Sequence, residues 1–578
     1  MRYRVYSFLF YVGIGILATG LFHVQVFQGS HFRTISEKNR IRIIPLEAPR
    51  GRVYDRNHQL LVTNRPSFDI VVTVDEVSPK VYPVLSKILK LSEWEIRKRI
   101  QGKREYRFAP AIVAEDVSQE VVHQIEERRP ELPGIMIRVT SLRYYPYAET
   151  ASHIIGYIGK VTDEEYKKLN RERFGMSSFI GRAGLEKIYD EDLRGWRGGK
   201  QLEVNAKGEM IKVLKEKLPE PGKDITISID LEFQKKIMEL IQKDRASVAV
   251  LDLKNEQLLA LASNPAFDPN AFVAPGKSKQ RMQFLKDRAA PLVDRGVSSA
   301  YPPGSVFKLV TGIAGLEKGV ITPNTRFFCN GAFRLNSKSR PFHCWNHAGH
   351  GSVNLYEALE RSCNVYFYNV ARKLSPEDIA SYARELGLGE RIEMDATNVA
   401  PGLVPDTAWK NQKMKDKWYQ GETLSFAIGQ GYLMTSPVQI LRLVAIIARN
   451  GIRIEPKIVL EDDHDHPKRK KSSEKEHVAI LEENLKVIKR GMLHVVESPY
   501  GTGQMARVDF TKLAAKTGTA QAPPNQSHSW MAGFFPYEKP EMAFVVFVEH
   551  GGSGGITAAR IVKDMLKAWK SSYAPAAV

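Results

Sequence analysis

The chain has 578 residues, and its 84 Lys and Arg against 65 Asp and Glu give a formal net charge of +19. Hydrophobic content of 43% and charged content of 26% are typical of a globular protein long enough for two or more domains. The sequence contains no zinc-finger spacing, no RNA-binding aromatic motif and no concentrated basic stripe. We therefore expect no nucleic acid partner. The charge suits a protein beside anionic lipid that acts on an anionic substrate.

The N-terminus predicts a membrane anchor. Residues 6–28 are almost entirely apolar, close to the roughly 20 residues that a membrane-spanning helix needs. Arg2 and Arg4 precede this stretch, which predicts that residues 1–5 are cytoplasmic. A cleaved signal peptide is the alternative, but no small-x-small site follows the apolar run. We therefore expect a single-pass protein of the inner (cytoplasmic) membrane with the bulk of the chain on the periplasmic or extracytoplasmic side.

Residues 45–230 are predicted to form an elongated, non-catalytic α+β domain, a pedestal or dimerisation module. The stretch Arg50–Asn57 is followed by a strand-like segment over 59–64. Residues 81–128 are rich in Leu, Ile, Lys and Glu at helical spacing. In residues 225–230, Ile alternates with polar residues, which indicates another strand.

Residues 245–572 are predicted to form a second domain. A β-hairpin is expected over 248–262, around a short polar turn at Lys254 and Asn255. The later strands are expected at 512–521, 528–535 and 542–549, and a last helix at 556–570. The sequence between the hairpin and these strands predicts mainly helices. An antiparallel sheet built from both ends of a domain, with an inserted helical region, defines an α+β fold.

Three motifs of this second domain indicate one active site: Ser305-Val-Phe-Lys308, Ser362-Cys363-Asn364 and Lys516-Thr517-Gly518-Thr519. Pro-Pro-Gly precedes Ser305 and helical text follows it, so we expect Ser305 in the first turn of a helix. Lys308 then lies on the same face of that helix. A serine hydroxyl is a poor nucleophile and needs a base. Lys308 can be that base if burial lowers its pKa.

The other two motifs supply relay and binding groups. Ser362 and Asn364 lie two apart between helical runs, so both can point into one cleft, Ser362 relaying a proton and Asn364 binding the acyl-donor peptide. A simple helix cap is the alternative. The Lys516–Thr519 segment is expected on a strand that a substrate extends as an extra strand, with Gly518 allowing close approach. Lys516 and Thr519 are expected to hold a terminal carboxylate, and the N–H groups of Ser305 and Thr519 to form an oxyanion hole.

These motifs, in this order, resemble those of penicillin-binding proteins and serine β-lactamases. Further stretches resemble class B penicillin-binding proteins in particular: 50–57, 301–308, 427–431, 435–439 and 515–521. The segments 345–351 and 551–555 are most similar to the elongation-specific type. Asn364 stands where many elongation enzymes have Asp, which leaves a septal, cell-division role open.

The resemblance implies the penicillin-recognising serine transpeptidase fold, an antiparallel five-stranded sheet with a helical subdomain. It implies D,D-transpeptidation of peptidoglycan: Ser305 would attack the penultimate D-Ala of a stem peptide, and an amine of a neighbouring stem would take the acyl group. It also implies covalent inhibition by β-lactams, a lipid-linked precursor as substrate, and cell-elongation partners that include a polytopic membrane glycan polymerase.

The three cysteines, Cys329, Cys344 and Cys363, fall within one stretch of 35 residues together with His350. Three thiolates and an imidazole are a ligand set for tetrahedral zinc. Some elongation-type relatives carry zinc in this region, with acidic residues at two positions that here would be Cys329 and Cys344. Because Cys363 lies between Ser362 and Asn364, a metal there would fix the catalytic turn.

The sequence is also compatible with other roles for these cysteines and with other histidine ligands. A Cys329–Cys344 disulfide would leave one thiol over, and Cys363 could simply be a small buried residue. His343 or His347 could replace His350 as the fourth ligand.

Alternative functions are disfavoured by the chain's organisation. A β-lactamase would be small and soluble, without the first domain. A β-lactam sensor would need several membrane spans and a cytoplasmic signalling part. A non-enzymatic scaffold would not need Ser305, Lys308 and Lys516 intact.

Overall fold

The computed structural model describes residues 2–31, 41–73, 77–102, 110–170, 173–175, 178–204, 210–460, 476–523 and 526–573. The chain begins with an apolar helix, Arg2–Phe22, which continues as a π-helical turn over His23–Phe27. The segment Tyr3–Phe27 is long and apolar enough to cross a membrane, and none of the window that passes this test is buried against the rest of the protein. In the described part of the chain, it is the one helix with this property.

The first domain contains two main sheets. A three-stranded antiparallel sheet has Gly198–Val204 at its centre, between Ile41–Leu46 and Met210–Lys217. In the five-stranded sheet, Leu60–Val72 is the central strand and pairs with three of the other four strands. The other strands of that sheet are Ile225–Thr226, Val53–Tyr54, Ala111–Ala114 and Ile135–Tyr144, and a separate hairpin joins Ile158–Lys160 to Phe179–Gly181.

The helical spacing of residues 81–128 is confirmed at Val81–Leu89, Glu93–Ile100 and Gln119–Glu127. A capping box starts the middle helix, since the Ser92 side chain accepts from the N–H of Glu95 and the Glu95 carboxylate accepts from the N–H of Ser92. Within this region the residues Ala111–Ala114 form a strand instead, because a short apolar run fits either structure and its pairing with Leu60–Val72 decides. The remaining helices of the domain are Ser152–Ile155, Asp163–Tyr166, Gly184–Ile188 and Asp190–Arg194.

A network of buried ion pairs in the first domain joins the stretch Arg50–Asn57 to the helices at 184–194. Glu186 is fully buried and accepts from Arg143 Nε at 2.7 Å and from Arg50 Nη2 at 2.8 Å. Arg50 also contacts Asp190 at 3.0 Å. The Arg50–Asn57 stretch is therefore held to the helices at 184–194 by largely buried charges.

We expect Glu186→Gln to destabilise this part of the first domain by about 3–5 kcal/mol, because it leaves buried guanidinium groups without their carboxylate. Amide hydrogen exchange in residues 50–64 and 179–194 of the full chain would then accelerate by about 10²–10⁴-fold. Glu115→Gln is the matched control, because its ion pair with Lys160 is partly exposed and such pairs contribute about 0–1 kcal/mol. Equal exchange in both variants would contradict the prediction.

The second domain is built on a five-stranded antiparallel sheet, which confirms the predicted α+β fold. Its strand order is Gln257–Asn264, Ala246–Asp252, Met542–Val548, His528–Phe535 and Ala514–Ala520. The hairpin and the three later strands are thus confirmed, with bounds shifted by one or two residues. We refer to Ala514–Ala520 as the edge strand, since it pairs on one side only, with His528–Phe535.

Helices cover both faces of this sheet. On one face, Leu231–Ile241 packs against Ala559–Tyr573. On the other face lies Pro437–Ala448, whose twelve residues are all buried, as expected for an apolar helix at the centre of a domain. The other helices of the domain are Asn270–Val273, Ser278–Lys286, Lys308–Glu317, Leu355–Glu360, Asn364–Ala371, Pro376–Glu385, Thr407–Met414, Gln420–Ala427 and Glu482–Glu497. Two small ladders pair Phe327–Cys329 with Gly351–Val353 and Ala332–Phe333 with Phe342–His343.

Candidate active site

Ser305 lies in a 3-10 turn, Gly304–Phe307, that leads directly into the helix Lys308–Glu317. Gly304 has φ +55° and donates its N–H to the carbonyl of Gly429 at 2.9 Å. A Cβ at Gly304 would lie 2.9 Å from the carbonyl oxygen of Thr519. A glycine is therefore needed here, because the backbone next to Ser305 rests on the edge strand.

Lys308, one turn after Ser305, is fully buried. Its Nζ donates to three oxygens: the Ser362 carbonyl at 2.7 Å, Ser362 Oγ at 3.2 Å and Asn364 Oδ1 at 2.6 Å. Burial lowers the pKa of Lys308 to about 8, since the charged form is desolvated. An amine with this pKa is neutral part of the time at physiological pH, as a general base requires.

We refer to Ser362–Asn364 as the serine–asparagine turn. It connects the helix Leu355–Glu360 to the helix Asn364–Ala371. Ser362 has φ +53°, a left-handed conformation that is uncommon for residues other than glycine. Asn364 uses its Nδ2 to donate to the His343 carbonyl at 3.1 Å. The oxygen and the nitrogen of the Asn364 side-chain amide thus each have a protein partner, and its bond to the donor peptide stays a prediction.

Lys516 on the edge strand is also fully buried, and its Nζ donates to Ser362 Oγ at 3.0 Å and to the Thr517 carbonyl at 3.0 Å. Burial and the nearby charge of Lys308 lower its pKa well below the usual value. Ser362 Oγ therefore lies between the Nζ atoms of two buried lysines. Its Nζ faces Ser362, and the binding of a substrate carboxylate by Lys516 stays a prediction.

Among the other residues of this motif, Thr519 is the one with an exposed side chain. Its Oγ1 accepts from the N–H of Gly554 at 3.2 Å. The Thr517 side chain is buried and contacts Thr502 Oγ1 at 2.8 Å. A Cβ at Gly518 would lie 2.8 Å from the Pro303 carbonyl oxygen, so the small residue permits the contact between the edge strand and the segment before Ser305.

Two supporting contacts were not identified from the sequence as parts of the site. Tyr301 and Thr435 form an antiparallel bridge, each donating its N–H to the other's carbonyl at 2.9 Å. Both residues lie in stretches that had been noted for their resemblance alone. Thr502, which contacts Thr517, has no signal in the sequence.

Cys329, Cys344, His350 and Cys363 form a group whose four ligand atoms lie within 4.8 Å of one another. His350 Nδ1 is 3.6 Å from Cys329 Sγ and 3.5 Å from Cys344 Sγ. Tetrahedral zinc with Zn–S of about 2.3 Å and Zn–N of about 2.0–2.1 Å would place sulfur and nitrogen about 3.5 Å apart. This donor set therefore fits a metal ion of that kind.

All three cysteines are free and buried, so the alternative Cys329–Cys344 disulfide is not formed in this structure. His343 and His347 are exposed and lie outside the group. Hydrogen bonds from Cys363 and His350 lower the pKa of Cys344, and the same contact together with burial raises the pKa of Cys363, so Cys344 is the thiolate of this pair. The group is also linked to the serine–asparagine turn, since the N–H of Asn364 donates to Cys344 Sγ at 3.4 Å.

Comparison with known families agrees with this geometry. Residues 246–567 match the family described as "Penicillin binding protein transpeptidase domain", and residues 45–227 match "Penicillin-binding Protein dimerisation domain". Because the first match covers more than half of the chain and the second accompanies it, the chain belongs to the class B penicillin-binding proteins.

Similar proteins indicate which type of class B penicillin-binding protein this chain is. Peptidoglycan D,D-transpeptidase MrdA of Acinetobacter baumannii is 31% identical over 574 residues, covering 96% of this chain and 85% of that protein. The MrdA of Escherichia coli K12 is 31% identical over 566 residues, covering 93% and 89%. The solved complex between Penicillin-Binding Protein (PBP2) and MreC from Helicobacter pylori is 29% identical, with a TM-score of 0.81 and coverage of 92% and 99%.

The chain is accordingly a peptidoglycan D,D-transpeptidase of the elongation type, a serine enzyme that acts in cell-wall synthesis and cell shape. Asn364 in place of Asp does not mark it as a septal enzyme.

Proposed function

We propose that Ser305 is the nucleophile of this transpeptidase, with Lys308 as its base. Ser305 Oγ attacks the carbonyl of the penultimate D-Ala of a donor stem, and neutral Lys308 takes the hydroxyl proton. The observation that carries this assignment is the chain of contacts from Lys308 Nζ through Ser362 Oγ to Lys516 Nζ, at 3.2 and 3.0 Å, beside the turn that carries Ser305.

The contacts of Lys308 explain how the base becomes active. As an ammonium it donates all three protons, to the Ser362 carbonyl, Ser362 Oγ and Asn364 Oδ1. A neutral amine has two protons and one lone pair. Loss of the third proton therefore opens one contact and frees the lone pair for the hydroxyl of Ser305.

Ser362 serves as the proton relay. When the tetrahedral intermediate collapses, the bond to the terminal D-Ala breaks and its nitrogen needs a proton. Ser362 Oγ donates that proton and is replenished from Lys308, which took it from Ser305. Lys516 keeps Ser362 oriented and, because of burial and the charge of Lys308, is itself easily deprotonated. In the second half-reaction the amine of a neighbouring stem attacks the acyl carbon and Ser305 regains its proton.

The edge strand is the proposed donor-binding element. Its free side can take an extended peptide as an additional strand, with Thr517, Gly518 and Thr519 as the binding residues. The approach of Gly304 to the Thr519 carbonyl supports an oxyanion hole formed by the N–H groups of Ser305 and Thr519. A donor of this kind typically lowers the barrier by about 3–4 kcal/mol. β-Lactams enter the same site, and opening of their ring acylates Ser305.

We further propose that Cys329, Cys344, His350 and Cys363 bind a structural Zn²⁺. The sulfur and nitrogen distances support this ligand set. When bound, zinc supplies a cross-link between the loop at 329–350 and the serine–asparagine turn. The reaction steps themselves belong to the protein side chains.

The apolar helix supports a single-pass location in the cytoplasmic membrane, with both folded domains outside the cytoplasm. One similar solved structure, 27% identical with a TM-score of 0.72 and full coverage of both chains, is described as "Structural coordination of polymerization and crosslinking by a peptidoglycan synthase complex". We infer that this chain likewise works with a polytopic glycan polymerase, through its anchor and first domain, and with other elongation proteins. Its substrates are peptidoglycan stems and their lipid-linked precursor.

Mapping of the acyl-enzyme tests the proposal. The full chain in detergent is incubated with benzylpenicillin, digested and analysed by peptide mass spectrometry. We expect one penicilloyl group, on the peptide that contains Ser305, with fragment ions assigning it to that residue. Penicillin whose ring is already hydrolysed is the control and should label nothing. A penicilloyl group on Ser362 would overturn the assignment of the nucleophile.

A further inference from the structure

Arg361, the residue immediately before Ser362, carries a charge that the described part of the protein leaves without a counter-ion. No ion pair or side-chain hydrogen bond of Arg361 occurs among the described residues, and its Nε is buried without a partner. The neighbouring acid, Glu360, is buried, and Ser498 donates to it at 2.6 Å. An arginine kept this way next to a catalytic turn is available for an anionic ligand.

The position of Arg361 is nevertheless fixed. Its guanidinium stacks on the ring of Tyr500, with 4.6 Å from Cζ to the ring centroid. Its carbonyl accepts from the indole N–H of Trp345 at 2.9 Å. Tyr500 is 67% exposed and Trp345 is 58% exposed, so both aromatic residues reach solvent, Tyr500 against the guanidinium and Trp345 against the backbone of Arg361. We refer to Trp345, Arg361 and Tyr500 as the aromatic–arginine rim.

The rim residues lie on elements other than the donor-binding strand, and the Tyr500 loop reaches that strand through the contact of Thr502 with Thr517. Arg361 precedes the serine–asparagine turn, and Tyr500 lies in the loop that leads to Thr502. Trp345 belongs to the segment 329–350, which we call the cysteine loop. None of the three is part of the edge strand along which the donor peptide is proposed to lie. The rim therefore borders the catalytic turn from elements other than the donor strand.

A transpeptidase needs a second substrate that a simple hydrolase does not. After the terminal D-Ala leaves, the amine of an acceptor stem must reach the acyl group on Ser305 before water does. Stem peptides carry carboxylates, and a guanidinium binds a carboxylate through two parallel hydrogen bonds. Exposed aromatic rings add apolar contact area at low entropic cost.

We propose that Arg361 binds a carboxylate of the acceptor stem peptide, with Trp345 and Tyr500 as the walls of that subsite. This inference rests on the proposed function of Ser305 and adds a binding residue for the second half-reaction. The carboxylate is either the one beside the attacking amine or another one in the stem. Arg361 is then a specificity residue for aminolysis of the acyl-enzyme and has no role in acylation.

The test compares Arg361→Gln and Arg361→Lys with the wild-type full chain in detergent. The assay uses a soluble donor peptide ending in D-Ala-D-Ala and an acceptor stem peptide, and it measures transfer and hydrolysis of the donor together with the rate of penicillin acylation. We expect Arg361→Gln to raise the acceptor KM by about 10–100-fold, as for a lost charge-assisted hydrogen bond. The partition should shift from transfer to hydrolysis, with acylation changed by less than about twofold.

Further variants and acceptors sharpen the result. Arg361→Lys should restore part of the acceptor affinity, and Tyr500→Ala should weaken it in the same direction as Arg361→Gln. Arg326→Gln is the matched control, since that arginine is paired with Glu357 at 2.8 Å and should leave the acceptor KM unchanged. Acceptors amidated at one carboxylate at a time identify the ligand, because amidation of the bound carboxylate should abolish the difference between wild type and Arg361→Gln.

Two outcomes would overturn the inference. One is an unchanged acceptor KM and transfer-to-hydrolysis ratio in Arg361→Gln. The other is a parallel loss of acylation and transfer, which would indicate that Arg361 only supports the fold of the turn. If penicillin does not label Ser305 in the wild-type chain, the proposed function fails instead. Peptide mapping of the acyl-enzyme detects that failure independently of the acceptor assay.

Discussion

Lys308→Met is expected to slow acylation of Ser305 by penicillin by about 10²–10⁴-fold, the usual contribution of a general base. Methionine fills much of the buried space of Lys308 but cannot accept a proton. It also removes the donor to Ser362 and Asn364. The second-order rate constant of labelling by a fluorescent penicillin measures the effect, and thermal unfolding checks that the variant is folded.

Lys308→Arg separates the base from the charge. Arginine keeps a cation at this position but stays protonated at any working pH. We therefore expect it to be as slow as Lys308→Met. Acylation at the wild-type rate in Lys308→Arg would contradict the role of Lys308 as the base.

The pH profile of the wild-type enzyme gives an independent check. The base acts in its neutral form, and burial lowers the pKa of Lys308 to about 8. The neutral fraction therefore rises about tenfold per pH unit below that value and levels off above it. The acylation rate should follow this curve upward with pH, and a rate that falls between about pH 6 and 8 would exclude the assignment.

Much of the second domain could be predicted from sequence because its signals are local. The hairpin at 246–264 and the strands of residues 514–548 have apolar runs of strand length between turn residues. Ser305 could be assigned to a helix start because Pro-Pro-Gly precedes it. The helical spacing at 81–128 was less decisive, since the strand Ala111–Ala114 depends on a partner strand far away in sequence.

The directions of the active-site side chains could not be predicted in the same way. The contact between Lys516 and Ser362 spans 154 positions, and it directs the lysine Nζ toward the serine hydroxyl. Asn364 turns its amide to His343 because the cysteine loop passes next to the turn. These directions follow from tertiary packing, on which residue type and motif spacing carry no information.

The group of three cysteines and His350 shows how residue types and structure complement each other. The sequence indicated Cys329, Cys344, His350 and Cys363 from their chemistry, although their spacing matches no strict motif. The structure adds distances suited to a tetrahedral ion and a bond from the N–H of Asn364 to Cys344. Cys363 is also the middle residue of the serine–asparagine turn, so a metal held by this group would be attached directly to the turn in which Ser362 has its left-handed conformation.

Cys329→Ser is therefore expected to lower the zinc content of the full chain and to slow penicillin acylation by about 10–100-fold, although Ser305 and Lys308 are unchanged. The physical reason is that the turn loses a fixed attachment and Ser362 no longer stays between the two lysines. Native mass spectrometry measures the metal, and labelling kinetics measure acylation on the same sample.

His347→Ala is the matched control, because this exposed histidine lies close in sequence to the ligands but outside their group. It should keep both the metal and the rate. Chelation of the wild-type enzyme should reproduce the slow acylation of Cys329→Ser, and added Zn²⁺ should restore the rate of the wild type only. Normal acylation kinetics in a metal-free enzyme would mean that the serine–asparagine turn is held by protein contacts alone, with the bonds from Lys308 and Lys516 sufficient to position Ser362.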